Sequence, residues 1–160
     1  MQNAISNTSP LVYLHRIDSL SWLTEIFSSV WIPQQVIDEL NEGHKRGYNV
    51  PIEKHLEWAE IVKPEQMPAE WFALDLGVGE VAAMSLGLEN PDRVVILDDL
   101  LARRTAQAAD LQVWGTLRVL LEAKSLELIP EVSSYIERLD SSGMYISANV
   151  KQRIRQLAGE

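Results

Sequence analysis

An uninterrupted apolar run from Val94 to Leu97 is the feature that most constrains the fold of this chain. A strand with one solvated face alternates apolar and polar residues, whereas a parallel strand buried on both faces is apolar throughout. The run therefore predicts a parallel sheet with helices on both faces. Two acidic residues, Asp98 and Asp99, follow it directly. Because ligands of open α/β sheets bind at the carboxyl ends of the strands, this pair indicates a site.

Shorter segments of the same kind recur along the chain. Strands are predicted at residues 4–6, 30–32, 93–97 and 112–114, separated by segments of helical periodicity. Ser9-Pro10 is typical of a helix start, and a further helix is expected from Pro51 to about Glu60. Because strands alternate with helices, the fold class is α/β, with right-handed crossovers between parallel strands.

The length of 160 residues predicts one domain that spans residues 1–160. Two amphipathic helices are expected at about residues 130–160, one after Pro130 and one after Ser147. They pack either on the body of the domain or on the partner in a dimer.

The composition excludes several classes of protein. Without cysteine, the chain has no disulfide, zinc-thiolate site or cysteine nucleophile, which fits a reducing compartment. The first residues lack the basic and apolar regions of a signal peptide, and no apolar run approaches the length of a membrane span. We therefore expect a cytoplasmic protein without a membrane partner.

The charge of −9 argues against a broad positive surface for nucleic acid. It leaves room for a local basic patch, because the positive charges are unevenly spread. Arg103 and Arg104 follow the acidic pair, and Lys151, Arg153 and Arg155 lie close together near the end of the chain. Either group is also typical of a solvated helix face.

Polar residues occur at comparable places in the predicted elements: Asn7, Glu39, Glu80, Asp98 and Asp99. If the first strand is central and the strand before Asp98 lies beside it, these side chains converge on one crevice. Clustered carboxylates raise each other's pKa values unless a cation neutralises them. Mg²⁺ and Mn²⁺ prefer such oxygen ligands, and both support hydrolysis of phosphodiesters.

Each of these residues also has a purely structural interpretation. Asn7 can cap the first helix, and Glu39 can be an exposed helix residue. Glu80 complements the dipole of the helix that it begins. One of Asp98 and Asp99 can cap the N-terminus of the next helix, but the other carboxylate then has no capping role.

Five motifs in order along the chain resemble those of the PIN-domain superfamily, most of all its VapC-like, toxin-related branch of prokaryotic proteins. The motifs are ISNTSPL at 5–11, WIP at 31–33 continuing to DEL at 38–40, DLGVGE at 75–80, ILDD at 96–99 with Ala102-Arg103, and GTL at 115–117. The resemblance covers the chain to about Leu139.

The resemblance implies a three-layer α/β/α fold around a parallel sheet of four to five strands, with an acidic pocket that binds Mg²⁺ or Mn²⁺ for endoribonuclease cleavage. By position, the four acids of the family correspond to Asn7, Glu39, Glu80, and Asp98 or Asp99, and Thr116 matches a hydroxyl residue near the pocket. Asp98 is the expected ligand and Asp99 the expected cap or supporting residue. Asn7 stands where most members have aspartate, so weaker metal binding is expected.

Two functions follow from the resemblance and stay open. The first is a metal-dependent endoribonuclease of VapC-like toxin type, which contacts RNA through Arg103, Arg104 or the basic C-terminal helix. Such a protein is expected to be a homodimer and to have an antitoxin protein as a partner. The second is a weak or inactive PIN-like scaffold that binds RNA or protein.

Other doubly wound proteins fit the sequence less well. A phospho-acceptor receiver needs an acidic pair after the first strand and a lysine after the last, where this chain has Asn7 and Gly115-Thr116. The segment from Gly77 to Glu80 lacks the third glycine of a dinucleotide-binding fingerprint, and no Walker lysine is present.

Overall fold

The computed structural model describes residues 1–160 and contains one sheet of five parallel strands. The strands are β1 (Asn3–Ser6), β2 (Ser29–Pro33), β3 (Glu60–Val62), β4 (Val94–Ile96) and β5 (Val113–Trp114). Their order across the sheet is β3-β2-β1-β4-β5. The first strand is therefore central, with β4 beside it.

Nine α-helices accompany the sheet. They are α1 (Thr8–Arg16), α2 (Ser21–Ile26), α3 (Gln34–Lys45), α4 (Ala69–Phe72), α5 (Val78–Glu89), α6 (Leu100–Ala108), α7 (Thr116–Ser125), α8 (Ser133–Ser141) and α9 (Ala148–Leu157). None of them combines the length and the apolar character that crossing a bilayer requires.

The two faces of the sheet bury alternate residues of the same strands. Ala4, Val94 and Ile96 belong to a core of 25 buried residues that includes side chains of α1, α2, α7 and α8. Ile5 and Val95 belong to a second core of 11 buried residues, formed with α5 and α6. Both faces are covered because strands without a polar face must be shielded from water on each side. The predicted three-layer α/β/α fold is confirmed.

The chain reverses its direction of winding between β1 and β4. It runs from β1 through β2 to β3 at one edge, then returns to β4 on the other side of β1 and ends the sheet with β5. In register, Ser6 pairs with Ile96. In open α/β sheets, ligands bind in a crevice outside the carboxyl ends of the two strands at such a reversal, and Asn7 and Asp98 follow those ends here.

The C-terminal helices pack on the body of the same chain. Ile136 and Leu139 of α8 and Ile154 of α9 are buried in the larger core. The Lys151 ammonium lies 2.7 Å from Asp140 Oδ2 and ties the two helices together.

The helix expected from Pro51 to Glu60 is wrong. The segment contains only a 3₁₀ turn at Glu53–His55, and Glu60 already begins β3. Of these residues only Pro51 and Leu56 are buried, so the segment has no apolar stripe to hold a helix against the core. The pair Ile61-Val62 forms most of β3, which pairs with β2 at the edge of the sheet.

Candidate active site

The carboxyl ends of β1 and β4 are joined directly beneath the crevice. The backbone N–H of Asn7 donates to Ile96 O at 3.2 Å, so the residue after β1 is fixed against β4. Asp98 lies two residues beyond Ile96. The structure thereby brings together the two strand ends that the sequence predicts to be neighbours.

Asp98 is held by the first residue of α7. Its Oδ1 accepts a hydrogen bond from the Thr116 N–H at 2.8 Å, and its Oδ2 accepts one from Thr116 Oγ1 at 2.7 Å. Burial raises the pKa of Asp98, while the bonds from Thr116 and the positive charge of Arg103 oppose that rise. Asp98 and Thr116 are therefore one unit, in which the hydroxyl and the helix N-terminus fix the orientation of the carboxylate.

Asp99 has a different role from its neighbour. Its side chain is exposed, and Oδ2 accepts a hydrogen bond from the Ala102 N–H at 3.0 Å, which caps the N-terminus of α6. The side chain thus satisfies an N–H that the first turn of a helix cannot pair internally. The cap expected of one member of this acidic pair is made by Asp99.

Glu39 joins three helices at the rim of the crevice. It projects from α3, and its Oε2 accepts a hydrogen bond from Thr8 Oγ1 of α1 at 2.6 Å. Its Oε1 accepts one from the Gly79 N–H in the first turn of α5 at 2.7 Å. Glu39 is half-buried rather than an exposed helix residue.

Gly79 makes this arrangement possible because it has no side chain. A Cβ atom at this position would lie 2.6 Å from Glu39 Oε1 and 2.7 Å from Oε2, closer than such contacts occur. The sequence predicts no functional role for Gly79 or Thr8, which occur there only within the motifs at 75–80 and 5–11. The glycine within the GVGE motif was the available signal, since a glycine inside a helix costs stability unless a close approach requires it.

Glu80 is the next residue and lies close enough to other acids for their charges to affect its pKa. Its Oε1 accepts a hydrogen bond from the Gly77 N–H at 2.8 Å, so it also caps α5. Burial raises the pKa of Glu80, the Gly77 hydrogen bond lowers it, and the charges of Asp99, Glu39 and Asp75 raise it further. The helix-start role proposed from sequence is real, and the side chain is at the same time one of a group of mutually repelling carboxylates.

Asn7 differs from all of these residues because its side chain has an unpaired atom. The residue is only 3% exposed, and its Oδ1 has no hydrogen-bond partner. It occupies the N-cap position of α1, yet its side chain makes no capping bond. A buried acceptor without a partner costs about 1–3 kcal/mol, and such exceptions in folded proteins call for a ligand, water or ion. The capping interpretation of Asn7 is therefore wrong.

The donors around the crevice suit a hard divalent cation, although they are not gathered into a closed site. An amide oxygen and several carboxylates are the oxygen donors that Mg²⁺ and Mn²⁺ prefer, and Asn7 Oδ1 is a buried oxygen without a protein partner. No group of three or more aspartate, glutamate or histidine side chains is arranged to hold a metal. Protein donors instead hold Glu39, Glu80 and Asp98 individually.

The two arginines after the acidic pair lie in different surroundings. Arg103 is half-buried, and its Nη1 lies 3.2 Å from the place that a Cβ at Gly115 would occupy. It is therefore beside Asp98, whose pKa it lowers. Arg104 is exposed on α6. Of the two, the structure brings only Arg103 to the crevice.

Comparison with known proteins agrees with the fold and identifies the family. The structure is similar to that of a PilT N-terminus domain protein, SSO1118, from the hyperthermophilic archaeon Sulfolobus solfataricus P2, with a TM-score of 0.56 and 18% sequence identity over 79% of this chain and 95% of the other. No curated protein sequence matches the chain. A family model described as DUF3368, PIN domain, matches residues 3–160. The chain therefore belongs to the PIN-domain family.

Proposed function

We propose that this protein is a metal-dependent endoribonuclease of VapC-like type, which cleaves RNA phosphodiesters in the crevice between β1 and β4. PIN domains are generally nucleases that use divalent metal ions. The observation that carries the proposal is Asn7 Oδ1, a buried acceptor without a partner at the strand end next to Asp98. An acceptor of this kind beside carboxylates of raised pKa indicates a place where a cation is needed.

Four side chains would hold Mg²⁺ or Mn²⁺ in this proposal, namely Asn7, Glu39, Glu80 and Asp98. A bound ion would supply positive charge that polarises the phosphoryl oxygen and would lower the pKa of water. The chain's own contribution is orientation. Thr116 fixes both oxygens of Asp98, while Thr8 and Gly79 fix those of Glu39. Supporting hydrogen bonds of this kind set ligand direction and affinity at metal sites.

Three substitutions test the proposal: Glu39→Gln, Glu80→Gln and Asp98→Asn. Each removes one negative charge with little change of shape, and we expect each to lower Mn²⁺-dependent cleavage of single-stranded RNA by about 100-fold or more. Matched controls are Glu42→Gln, which is exposed on the same helix as Glu39, and Asp92→Asn, which is exposed before β4.

The controls should cleave at the wild-type rate. Equal cleavage by all five variants would contradict the proposal and point to a contaminating nuclease. Circular dichroism and the unfolding midpoint of each variant establish that a loss of cleavage is not a loss of fold.

A specific observation favours a second candidate, a PIN scaffold that binds RNA or protein without catalysis. Asn7 replaces a carboxylate, and no three acidic groups are gathered to hold a metal. Calorimetric titration with Mn²⁺ distinguishes the candidates. A nuclease takes up the ion at sub-millimolar concentration, and uptake is weakened in Asp98→Asn, whereas an inactive scaffold shows no binding in this range.

The proposed nuclease also has proposed partners. The resemblance to VapC-like proteins supports a cytoplasmic homodimer whose activity an antitoxin protein restrains. Light scattering after gel filtration measures whether the protein is a dimer. A mass equal to twice the chain's 18.1 kDa is expected, and a monomer at all concentrations would contradict it.

A further inference from the structure

A groove runs from Asp98 between α6, α7 and α9, on the side of the crevice away from Glu39. Its volume is about 590 Å³. Asp98 lies at one end, so the groove is continuous with the candidate active site. None of the interactions described above accounts for it.

Three arginines from three different helices line this groove. They are Arg103 of α6, Arg118 of α7 and Arg153 of α9. Arg103 and Arg153 form no ion pair, and Arg118 makes only a loose one with Glu122 at 3.9 Å. The lining of the groove thus holds three arginines and one carboxylate, that of Asp98. In a chain with a net charge of −9, this local excess of positive charge indicates an anionic ligand.

Two aromatic residues line the groove, of which Tyr145 has a free ring, whereas Trp114 packs against Phe27 and under Arg118. Tyr145, in the segment before α9, is 88% exposed and lies at its rim. The Arg118 guanidinium lies over the Trp114 ring, 4.6 Å from its centroid. Val113, Leu117 and Ile154 contribute an apolar lining. Arginines that meet phosphates, next to rings on which bases stack, are the combination used by proteins that bind single-stranded nucleic acid.

We propose that this arginine groove, lined by Arg103, Arg118, Arg153, Trp114 and Tyr145, binds the single-stranded RNA that leads away from Asp98. The proposal rests on the proposed nuclease function and adds the path of the substrate and its strandedness. Arg103, next to Asp98, binds the phosphate nearest the cleavage site. Arg118 and Arg153 bind phosphates farther along, and Tyr145 stacks on a base.

Charge favours RNA over a protein as the occupant. A protein segment would have to bring its own carboxylates to all three arginines, whereas every nucleotide of RNA supplies a phosphate. Guanidinium groups bind phosphate oxygens in a bidentate manner and also stack on bases, and both modes fit a groove with an aromatic rim. A second copy of this acidic chain is the alternative that the experiment has to detect.

The test is the affinity for a fluorescein-labelled single-stranded RNA, measured by anisotropy in EDTA so that no cleavage occurs. We expect Arg103→Gln, Arg118→Gln and Arg153→Gln each to weaken binding by about fivefold, and Tyr145→Ala by about tenfold. The triple arginine variant should lower the slope of log affinity against log salt by about 2, since each phosphate contact to a single strand contributes about 0.7. A duplex of the same sequence should bind more weakly than the single strand, because its bases are not free to stack.

Arg46→Gln is the matched control, because Arg46 is exposed at the end of α3 and far from the groove in the sequence and the sheet order. It should bind RNA as the wild type does, and Arg104→Gln, on α6 but outside the groove, should lose at most about twofold. Wild-type affinity in the triple variant, or no RNA binding by the wild-type protein at low salt, overturns the proposal. So does a change of oligomeric state in Tyr145→Ala with unchanged RNA affinity, which would identify the groove as a contact between copies.

Failure of the groove and failure of the nuclease give different results. Cleavage that depends on Glu39 and Asp98, combined with binding that does not depend on the three arginines, refutes the groove alone. Binding that depends on the arginines, combined with no metal-dependent cleavage, refutes the nuclease and leaves an RNA-binding PIN scaffold.

Discussion

The two ends of the sheet differ in how their charged side chains are paired. At the amino end, Arg93 donates from Nη1 to Ala4 O at 3.0 Å and from Nη2 to Ser29 Oγ at 3.2 Å, and its guanidinium lies 3.4 Å from the centre of the Trp31 ring. At the carboxyl end, Asn7 Oδ1 has no partner, and several carboxylates share one crevice without an ion pair.

The difference distinguishes an end whose charged group is paired within the chain from an end whose carboxylates have no cation. Burial lowers the pKa of Arg93 and raises those of Glu80 and Asp98, so both ends bear a desolvation cost. At the amino end the chain supplies both the Arg93 cation and its acceptors, although Trp31 Nε1 beside the guanidinium has no hydrogen-bond partner. At the carboxyl end the chain supplies acceptors and negative charge, which the cation of the proposed nuclease would complement.

Among the variants that keep every acidic residue, the largest expected effect comes from a methyl group at the carboxyl end. Gly79→Ala places a Cβ against the Glu39 carboxylate and displaces it, so we expect Mn²⁺-dependent cleavage to fall by about 10–100-fold with little loss of stability. Gly87→Ala, on the same helix, meets Val95 Cγ2 at 2.7 Å in the core, and should lower the unfolding free energy by about 1–3 kcal/mol. RNA cleavage and urea unfolding are measured for both variants. If each variant lost cleavage and stability to a similar extent, the distinction between the two positions would be contradicted.

The amino end is tested by Arg93→Met, which keeps the length of the side chain and removes its donors. Ala4 O and Ser29 Oγ lose their partner, and we expect a loss of about 2–3 kcal/mol in the unfolding free energy. Urea unfolding measures this loss, and the exposed Arg46→Met should stay within about 0.5 kcal/mol of the wild type. Loss of cleavage in the folded Arg93→Met protein would show that the two ends are not independent.

A third experiment adds a charge to the carboxyl end. Asn7→Asp replaces the unpaired amide oxygen with a carboxylate, and we expect Mn²⁺ to bind about tenfold more tightly. Without metal, the variant should unfold at a lower temperature than the wild type, because a buried charge is then uncompensated. Calorimetry and thermal unfolding with and without Mn²⁺ measure both effects. Unchanged metal affinity would place the cation site away from Asn7.

The smallest effect is the pH dependence of stability. The raised pKa values of Glu80 and Asp98 mean that the folded protein binds their protons more tightly than the unfolded chain does. Their contribution is therefore complete below the ordinary carboxyl pKa and is lost as pH rises through the raised values. Saturating Mn²⁺ should abolish this loss, because a cation favours the charged carboxylates. Thermal unfolding of the wild type and of Asp98→Asn, measured against pH, gives the loss of stability as pH rises. An equal loss in Asp98→Asn would contradict its assignment to Asp98.

Glu160, a carboxylate away from the crevice, has a lowered pKa and therefore an opposite effect on the pH dependence of stability. Burial alone would raise the pKa of Glu160, but bonds from the Val132 N–H, Lys124 and Ser133 lower it to about 2. Its contribution is present above the ordinary value of 4.5 and is lost as pH falls toward 2. Glu160→Gln should therefore flatten the acid side of the stability curve only. A change near neutral pH would show that Glu160 acts by other means.

Most of the sheet could be predicted because its strands carry an unambiguous pattern. The run from Val94 to Leu97 is apolar at every position and rich in β-branched residues, a pattern typical of a strand covered on both faces. The failure at residues 51–60 has the converse reason. A few apolar residues there fit a helix, a turn or an edge strand equally well. Pairing with Trp31 and Ile32 of β2 decides that the segment ends in a strand.

The chain's sequence determined which residue types reach the crevice, because strand ends, helix starts and their acids follow from local pattern. Only the tertiary structure decided what each of them does there. Asp98 and Asp99 are adjacent and chemically identical, yet one is held by Thr116 and the other caps α6. Likewise, no local signal shows that Asn7 Oδ1 is unpaired or that three distant arginines meet in one groove. Hydrogen-bond partners and charge neighbours come from elements far apart in the chain, and packing alone brings those elements together.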